Sequence, residues 1–332
     1  MDAEQALTLI KRNTLEIINE ASLSKAITAG ERPRIYCGYE PSGPVHLGHL
    51  VSITKLVDLQ DAGCDVIVLF ADWHAYLNQK GTWEDIQEHT ATWQTVFTAA
   101  GLGKATFVKG SDIQRSVPYI DDVFALAVKT TINRGLRSMQ TVARDITNAK
   151  ISQVIYPLMQ VADFKHLNVD GALGGIEQRK IHMLALETLS SLNYKTPFFI
   201  HHELIPSIKG PREGKMSSSQ AASMISLVDD DDAITKKLQN AYCPEGKTED
   251  NPVLAIAKLI IFPRLKKEEA FKLTRPDKFG GDTSYATFED LRAAYENRSV
   301  HPADLKRSCA LYLQEIIRPL RKQSSQRQGK KS

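Results

Sequence analysis

His46-Leu47-Gly48-His49 sets two histidines three residues apart, a spacing that puts both imidazoles on one face of a helix. The stretch before it, RIYCGYEPSGP, predicts a strand over 34–39 closed by Pro and Gly, so the pair falls where a first strand hands over to a first helix. In a parallel sheet that crevice is where ligands bind, and a helix N-terminus there offers N–H donors and a positive dipole end to phosphate. Gly48 leaves room for a base or sugar against the backbone. Taken alone, the motif reads more readily as a pair of surface histidines on an ordinary helix. It is not HExxH and has no third ligand, so a metal site is rejected. Lys215-Met216-Ser217-Ser218-Ser219 lies in a Pro-, Gly-, Lys- and Ser-rich stretch, 206–220, without apolar periodicity. A lysine after Gly214, followed by hydroxyls, can close over a polyphosphate and neutralise charge that develops during transfer. By composition alone the same stretch is a solvated linker between domains.

The elements that must hold these residues follow from periodicity. CDVIVLF, 64–70, is an apolar run suited to a strand buried on both faces, and strand, helix, strand within about forty residues is a βαβ unit. Residues 1–21 have an amphipathic helix pattern. Helical patterns also cover 84–100, 119–144, 151–167 and 176–192, with strands at 105–109 and at PFFIHH from Pro197. After the Ser-rich stretch, helices are expected from DDDD at 229–232 and at 253–262, 287–296 and 302–322. The last residues, SSQRQGKKS, have a disordered composition. The fold class expected is α/β: a Rossmann-type doubly wound parallel sheet with a helical insertion and a smaller, mostly α-helical C-terminal domain.

At 332 residues there is length for a large core, and a net charge of +3 excludes nothing by itself. From Arg264 onward, however, 16 basic residues face 9 acidic ones, net +7, which leaves net −4 on the first 263; Arg318 to Ser332 holds six Lys or Arg and no acid. Cys37, Cys64, Cys243 and Cys309 form no CxxC pair, which argues against zinc and for free thiols in a reducing cytoplasm. No signal-peptide core or membrane-length apolar run occurs, so a cytoplasmic protein with no membrane partner is expected.

HLGH followed by KMSSS resembles the paired signatures of the class I aminoacyl-tRNA synthetases, in their HIGH and KMSKS forms. GYEPSGPVHLGH, FADWHAYLNQKG, QVIYPLMQVAD, GGIEQRKIHM, RPDKFGGD and HPADLK are similar to the archaeal and eukaryotic type of tyrosyl-tRNA synthetase over about residues 5 to 322. Leu47 and Ser218 depart from the general signatures, and the second change leaves Lys215 as the main loop cation.

The resemblance implies activation of L-tyrosine with ATP to tyrosyl-adenylate and pyrophosphate, then transfer to the 3′-terminal adenosine of tRNA(Tyr), with Mg²⁺ accompanying ATP. It implies catalytic roles for His46, His49 and Lys215, and ATP contacts from Gly38, Glu40, Gly48, Met216, Ser217 and Ser218 as well. Tyr36 and Asp163 match the groups that hold the phenol. Tyr156, Gln160 and Gln178 match the ammonium site, and Ala71, His74 and Gln114 line the same pocket. Tyr156, Gln160 and Asp163 share a helix face by spacing, with Pro157 expected in the first turn of that helix. Arg137, Arg179 and Lys180 match positions at an acceptor stem with a C1:G72 pair. Phe279 and His301 match anticodon-stacking groups, and Asp304 the carboxylate reading its first base, with a helix N-cap as the alternative. The implied organisation is a catalytic domain at 1–212 with an insertion at about 84–150 forming a homodimer interface, a loop at 213–225, an anticodon-binding domain at 226–322 and a basic tail at 323–332. A tryptophanyl enzyme, a smaller-substrate adenylyltransferase and a non-catalytic RNA-binding paralogue are the competing readings.

Overall fold

The apolar run expected to be buried on both faces forms β3 of a six-stranded sheet: β1 (Thr14–Ile18), β2 (Arg34–Tyr39), β3 (Asp65–Phe70), β4 (Thr106–Lys109), β5 (Gly171–Gly175) and β6 (Phe198–His202). The computed structural model describes residues 1–140, 148–214, 216 and 223–328. Strand order is β1-β6-β5-β2-β3-β4. Every neighbouring pair is parallel except β1 with β6. The chain runs outward from β2 to β3 and β4, then returns to β5 on the other side of β2. The order therefore reverses at β2 and β5, the place where doubly wound sheets bind ligands. The expected α/β class is the observed one.

Three local differences have physical causes. The predicted helix over 1–21 is instead a helix Ala3–Lys11, strand β1 and a helix Glu20–Thr28. Asn13 and Asn19 take positive φ, a conformation Asn tolerates, and break the helix on either side of a strand that pairs with the sheet edge. The predicted single helix over 119–144 divides into Val117–Lys129 and Ile132–Met139, because Thr131 is extended and its side chain caps Arg134 N–H; 141–147 lie outside the described residues. Strand β5, GALGG, has only Leu173 of the bulky apolar residues that mark a strand in sequence.

The described residues divide into two compact units. The first comprises 1–42, 55–94 and 102–203 and contains the whole sheet; the second comprises 43–54, 95–101 and 204–332. In the second, helices Asp231–Gln239, Phe288–Glu296 and Pro302–Gln328 accompany a helical stretch Pro252–Ile256 that continues as a wider turn Ala257–Ile261. A two-stranded ribbon, β7 (Phe271–Leu273) and β8 (Thr283–Tyr285), adds to the expected helices. The tail expected to be disordered from 323 is helical as far as Gln328, and 329–332 lie outside the described residues. Arg318 and Arg321 anchor this helix by pairing with Asp231. No helix among the described residues is long and apolar enough to cross a membrane.

A buried cation closes the first helix of the first unit. Lys55, 3% exposed, donates to the carbonyl oxygens of Leu9 (3.1 Å), Ile10 and Arg12 (2.6 Å) at the end of helix Ala3–Lys11, where Leu9 O also accepts from Arg12 N (3.3 Å) and Ile10 O from Thr14 Oγ1 (2.9 Å). Its charge is matched by Asp58 at 3.7 Å, which also accepts from Arg12. Lys55→Met should therefore remove a donor shared by three carbonyls and leave part of a buried carboxylate unmatched, and lower unfolding free energy in urea by about 3 kcal/mol.

Candidate active site

In the first unit, a polar socket is built around Asp163 on helix Ile151–His166. Apolar neighbours hold it there: Phe164, one residue on, packs edge-on against Tyr36 of β2, with ring centroids 5.1 Å apart. Asp163 is 1% exposed, and burial pushes its carboxyl up to about 7 against the opposing effect of two hydrogen bonds. Gln114 Nε2 and Tyr119 Oη both donate to Oδ1 at 2.8 Å. Oδ2 has no partner.

Two more orphaned atoms accompany it. Gln114 Nε2 also lies 3.2 Å from His74 Nδ1. Its amide nitrogen must face the carboxylate, which can only accept, so the neutral His74 ring takes its proton on Nε2. Burial drives the His74 pKa down to about 4, which keeps the ring neutral. His74 Nε2 and Gln114 Oε1 are buried and unpartnered, and His74 Nε2 is 4.0 Å from Asp163 Oδ2. One donor and two acceptors therefore await a ligand, and each left unmatched costs about 1–3 kcal/mol.

Gly110 is what allows Gln114 this position: a Cβ there would lie 2.5 Å from Gln114 Oε1 and 2.9 Å from Asp72 Oδ1. Asp72, fully buried, accepts from Ser111 N (2.8 Å), Ser111 Oγ (2.6 Å), Gln87 Nε2 (3.0 Å) and Trp73 N (2.9 Å). It thereby ties the helix carrying His74, Asp72–Leu77, to the turn carrying Gln114. Sequence reasoning missed Tyr119, Asp72 and Gly110; the available signal was a Tyr at an inward position of an apolar helix, which must find a polar partner.

Tyr156, Gln160 and Asp163 do share a helix face, but Pro157 is not in the first turn. It is the seventh residue of the helix, and Tyr156 is helical rather than extended. The helix starts at Ile151, where Gln153 Oε1 accepts from the Lys150 backbone N–H at 2.9 Å. Gln160 Nε2 donates to Gln178 Oε1 at 3.2 Å, bringing two of the expected ammonium ligands together. Tyr156 is buried, its hydroxyl pushed above the usual range by burial and by the adjacent Glu40, which also holds Asn78 (3.0 Å) and Lys80 (3.6 Å). Tyr36 donates to the Gln160 carbonyl at 3.4 Å and makes no hydrogen bond to Asp163. Ala71, buried, begins the helix of His74, and Gly38 is exposed on β2. Arg179 donates to Glu16 at 2.7 Å, and Lys180 donates to Gln140. Arg137 lines a surface depression of about 520 Å³ with Asn133, Leu136 and Gln140.

In the second unit the two histidines cap their own helix, Leu47–Asp61. The His46 carbonyl accepts the first helical bonds, from His49 N and Leu50 N. His46 Nδ1 accepts from Gly48 N–H at 3.0 Å, and His49 Nδ1 accepts from His46 N–H at 3.2 Å. This is the logic of a capping box written with imidazoles. With both Nδ1 atoms accepting, each neutral ring carries its proton on Nε2. The ring centroids are 3.9 Å apart, and burial together with His46 holds the His49 pKa well below the usual range. Gly48 has a tighter reason than room for a base: a Cβ would lie 2.8 Å from the His46 ring.

The segment after the Ser-rich loop runs antiparallel beside this cap. Leu47 N donates to Ile225 O (3.0 Å), Leu227 N donates to Val45 O (2.8 Å), and His46 bridges Ser226. Met216, 5% exposed, donates to Ile205 O at 3.1 Å, and Ser207 N donates to Gly214 O at 2.9 Å. Lys215, Ser217 and Ser218 lie outside the described residues. Phe279 is 62% exposed, and Arg275 ties its turn to the Ser299 carbonyl (3.2 Å), two residues before the exposed His301. Asp304 is not the helix N-cap: the His301 ring accepts from Ala303 N–H at 3.2 Å, while Asp304 is buried and pairs with Arg307 at 3.3 Å.

Residues 28–318 match the family model of tRNA synthetases class I (W and Y). The chain is 47% identical over 324 residues to the tyrosine–tRNA ligase of Archaeoglobus fulgidus, covering 97% of this chain and 98% of that protein. It is 44% identical over 324 residues to that of Methanopyrus kandleri, with the same shares covered. The fold matches the crystal structure of tyrosyl-tRNA synthetase complexed with L-tyrosine from Archaeoglobus fulgidus with a TM-score of 0.92 and 46% identity, covering 97% of this chain and 100% of that one.

Gly48→Ala separates the cap from general stability. The added methyl forces the His46 ring out, losing about 1 kcal/mol of capping, while alanine's better helix propensity returns about 1 kcal/mol. The thermal midpoint should stay within a few degrees of wild type while pyrophosphate binding, measured by calorimetry, weakens about tenfold.

Proposed function

The chain belongs to the class I tRNA synthetases of the W and Y type, and on that premise we infer that it is a tyrosine–tRNA ligase. It activates L-tyrosine with ATP, releasing pyrophosphate, and transfers the tyrosyl group to the 3′-terminal adenosine of tRNA(Tyr), releasing AMP. The observation that carries the choice of amino acid is the socket of Asp163 Oδ2 and His74 Nε2–H. A phenolic hydroxyl donates to the first and accepts from the second, whereas an indole N–H can only donate. Phenylalanine satisfies neither.

Asp163 and Tyr36 hold the phenol in this reading, with His74, Gln114 and Ala71 around it. Tyr156, Gln160 and Gln178 hold the ammonium group, the last two already joined as an amide pair. The tyrosine carboxylate attacks the α-phosphate, and the adenylate then yields its acyl group to a ribose hydroxyl. Positioning and charge stabilisation suffice for both steps. His46, Gly48 and His49 contact the ATP phosphates at the helix N-terminus, a reading supported by Nδ1 acceptance in both rings. Lys215, Met216, Ser217 and Ser218 close over the same phosphates, and Gly38 and Glu40 contribute to the nucleotide site. Mg²⁺ enters bound to ATP as part of the substrate and supplies charge neutralisation on its phosphates.

Arg137, Arg179 and Lys180 meet the acceptor end of the tRNA; Phe279, His301 and Asp304 meet the anticodon. The exposure of Phe279 suits stacking on an unpaired base. A homodimer is supported by an exposed apolar stripe on helix Val117–Lys129, formed by Val117, Ile120, Phe124 and Val128 at helical spacing. The cytoplasm is the compartment assigned, on four free, buried cysteines.

ATP–pyrophosphate exchange tests the activity: tyrosine should drive it, and exchange driven by tryptophan in its place would refute the reading. In Asp163→Asn, preference for tyrosine over phenylalanine should fall about a hundredfold, the scale of a buried hydrogen bond to a charged group. Asp304→Ala should slow tRNA charging at least tenfold with adenylate formation nearly unchanged. Equal losses in the two assays would mark a structural role for Asp304 through Arg307.

A further inference from the structure

Tyr119 is assigned nothing by the motifs, yet its hydroxyl reaches the carboxylate on which tyrosine selection rests. The side chain is fully buried on helix Val117–Lys129, with its hydroxyl 2.8 Å from Asp163 Oδ1 and 2.7 Å from the Met159 carbonyl. Its single proton lies between two acceptors, of which an ionised carboxylate is the stronger. Asp122, one turn on, holds Lys165 (3.0 Å) and His166 (2.8 Å) and so pins the same two helices together next to this contact. Oδ1 thus receives two donors and Oδ2 none.

We propose that Tyr119 is a specificity-determining positioning residue: by donating to Asp163 Oδ1 it fixes the carboxyl group so that Oδ2 is presented as an acceptor for the substrate phenol. The inference rests on the assignment of Asp163 to that phenol. Its energetic side follows from burial. The Asp163 carboxyl is pushed up to about 7, and the Tyr119 bond is one of two that restrain it. Without that bond the group protonates at higher pH, and a carboxylic O–H at Oδ2 faces the phenol as a competing donor. The titratable groups around Asp163 are Tyr36 from β2, His74 from helix Asp72–Leu77, Tyr119 itself, and Tyr156 on its own helix. Burial raises all three tyrosines and lowers His74 to about 4, so Asp163 is the one of these that titrates near neutrality.

The test is tyrosine- and phenylalanine-dependent ATP–pyrophosphate exchange by the full chain between pH 5.5 and 9. Tyr119→Phe should raise the KM for tyrosine about tenfold at pH 7 with kcat nearly unchanged, and leave phenylalanine activation as in wild type. The pH below which tyrosine KM climbs should move up by about one unit. Asp122→Asn loosens the same helix pair without touching Asp163, and its pH midpoint should match wild type. An unmoved midpoint in Tyr119→Phe, an equal loss with phenylalanine, or the same shift in Asp122→Asn would each overturn the role of Tyr119. Asp163→Asn should abolish the pH dependence; if it keeps the wild-type profile, the phenol assignment itself fails, and with it this inference.

Discussion

A carboxylate sealed from water with one oxygen unmatched is the constraint around which the first unit is arranged. Its folded pKa of about 7 lies above the ordinary 3.8, so the protonated form is favoured by folding. The sign is opposite to that of a salt-bridged aspartate. The cost is absent below about pH 4 and grows to about 4 kcal/mol above pH 7. A protein that needed only stability would put an apolar residue at 163. Retaining the carboxylate makes sense when a ligand supplies the missing donor, because the penalty then becomes discrimination between ligands that carry a hydroxyl and those that do not.

Such discrimination works only if the surroundings cannot relax to satisfy Oδ2 themselves. Each neighbour is prevented from doing so by a second tie. Gln114 is split between Oδ1 and His74 Nδ1. Tyr119 sits between Oδ1 and Met159 O. The turn of Gln114 and the helix of His74 are both fastened to Asp72. The histidine cap of the second unit follows the opposite principle. There the imidazoles satisfy backbone donors reciprocally through Nδ1, which leaves the ring proton on Nε2; in the proposed reading the cap answers an anion's charge. Shape-demanding recognition and charge-demanding recognition are thus built from different hydrogen-bond logic.

Much of this was legible in residue patterns where the pattern had a single physical solution. The run from Val66 to Phe70 has the β-branched, continuous apolar character of a strand buried on both faces, and the strand-to-helix handover at His46 follows from Pro, Gly and apolar spacing. The pattern failed where tertiary pairing outweighed local periodicity. β1 has the spacing of a helix, but an unpaired sheet edge and two asparagines at positive φ decide otherwise. β5 is nearly all small residues, so its membership of the sheet is visible only from its neighbours. In the socket, Asp163 was marked by spacing and resemblance, whereas Tyr119 was hidden because an aromatic at an inward helix position looks like core until its hydroxyl is traced.

The charge division reads differently once partners are known. The basic excess from Arg264 onward is +7 whatever the pairing, since an ion pair conserves net charge. Pairing decides instead which cations keep a fixed direction: Arg318 and Arg321 are committed to Asp231, Arg292 to Glu289 and Glu296, Lys272 to Asp282. Exposed pairs of this kind hold with at most about 1 kcal/mol and are screened by salt, so a sugar–phosphate backbone can exchange for the carboxylates at little cost. Affinity for a nucleic acid from this region therefore comes from the field of the excess as a whole and falls with salt. Choice among nucleic acids must come from groups the field does not describe; in the proposed reading those are the exposed aromatic ring of Phe279 and the imidazole of His301, fixed by its own helix cap.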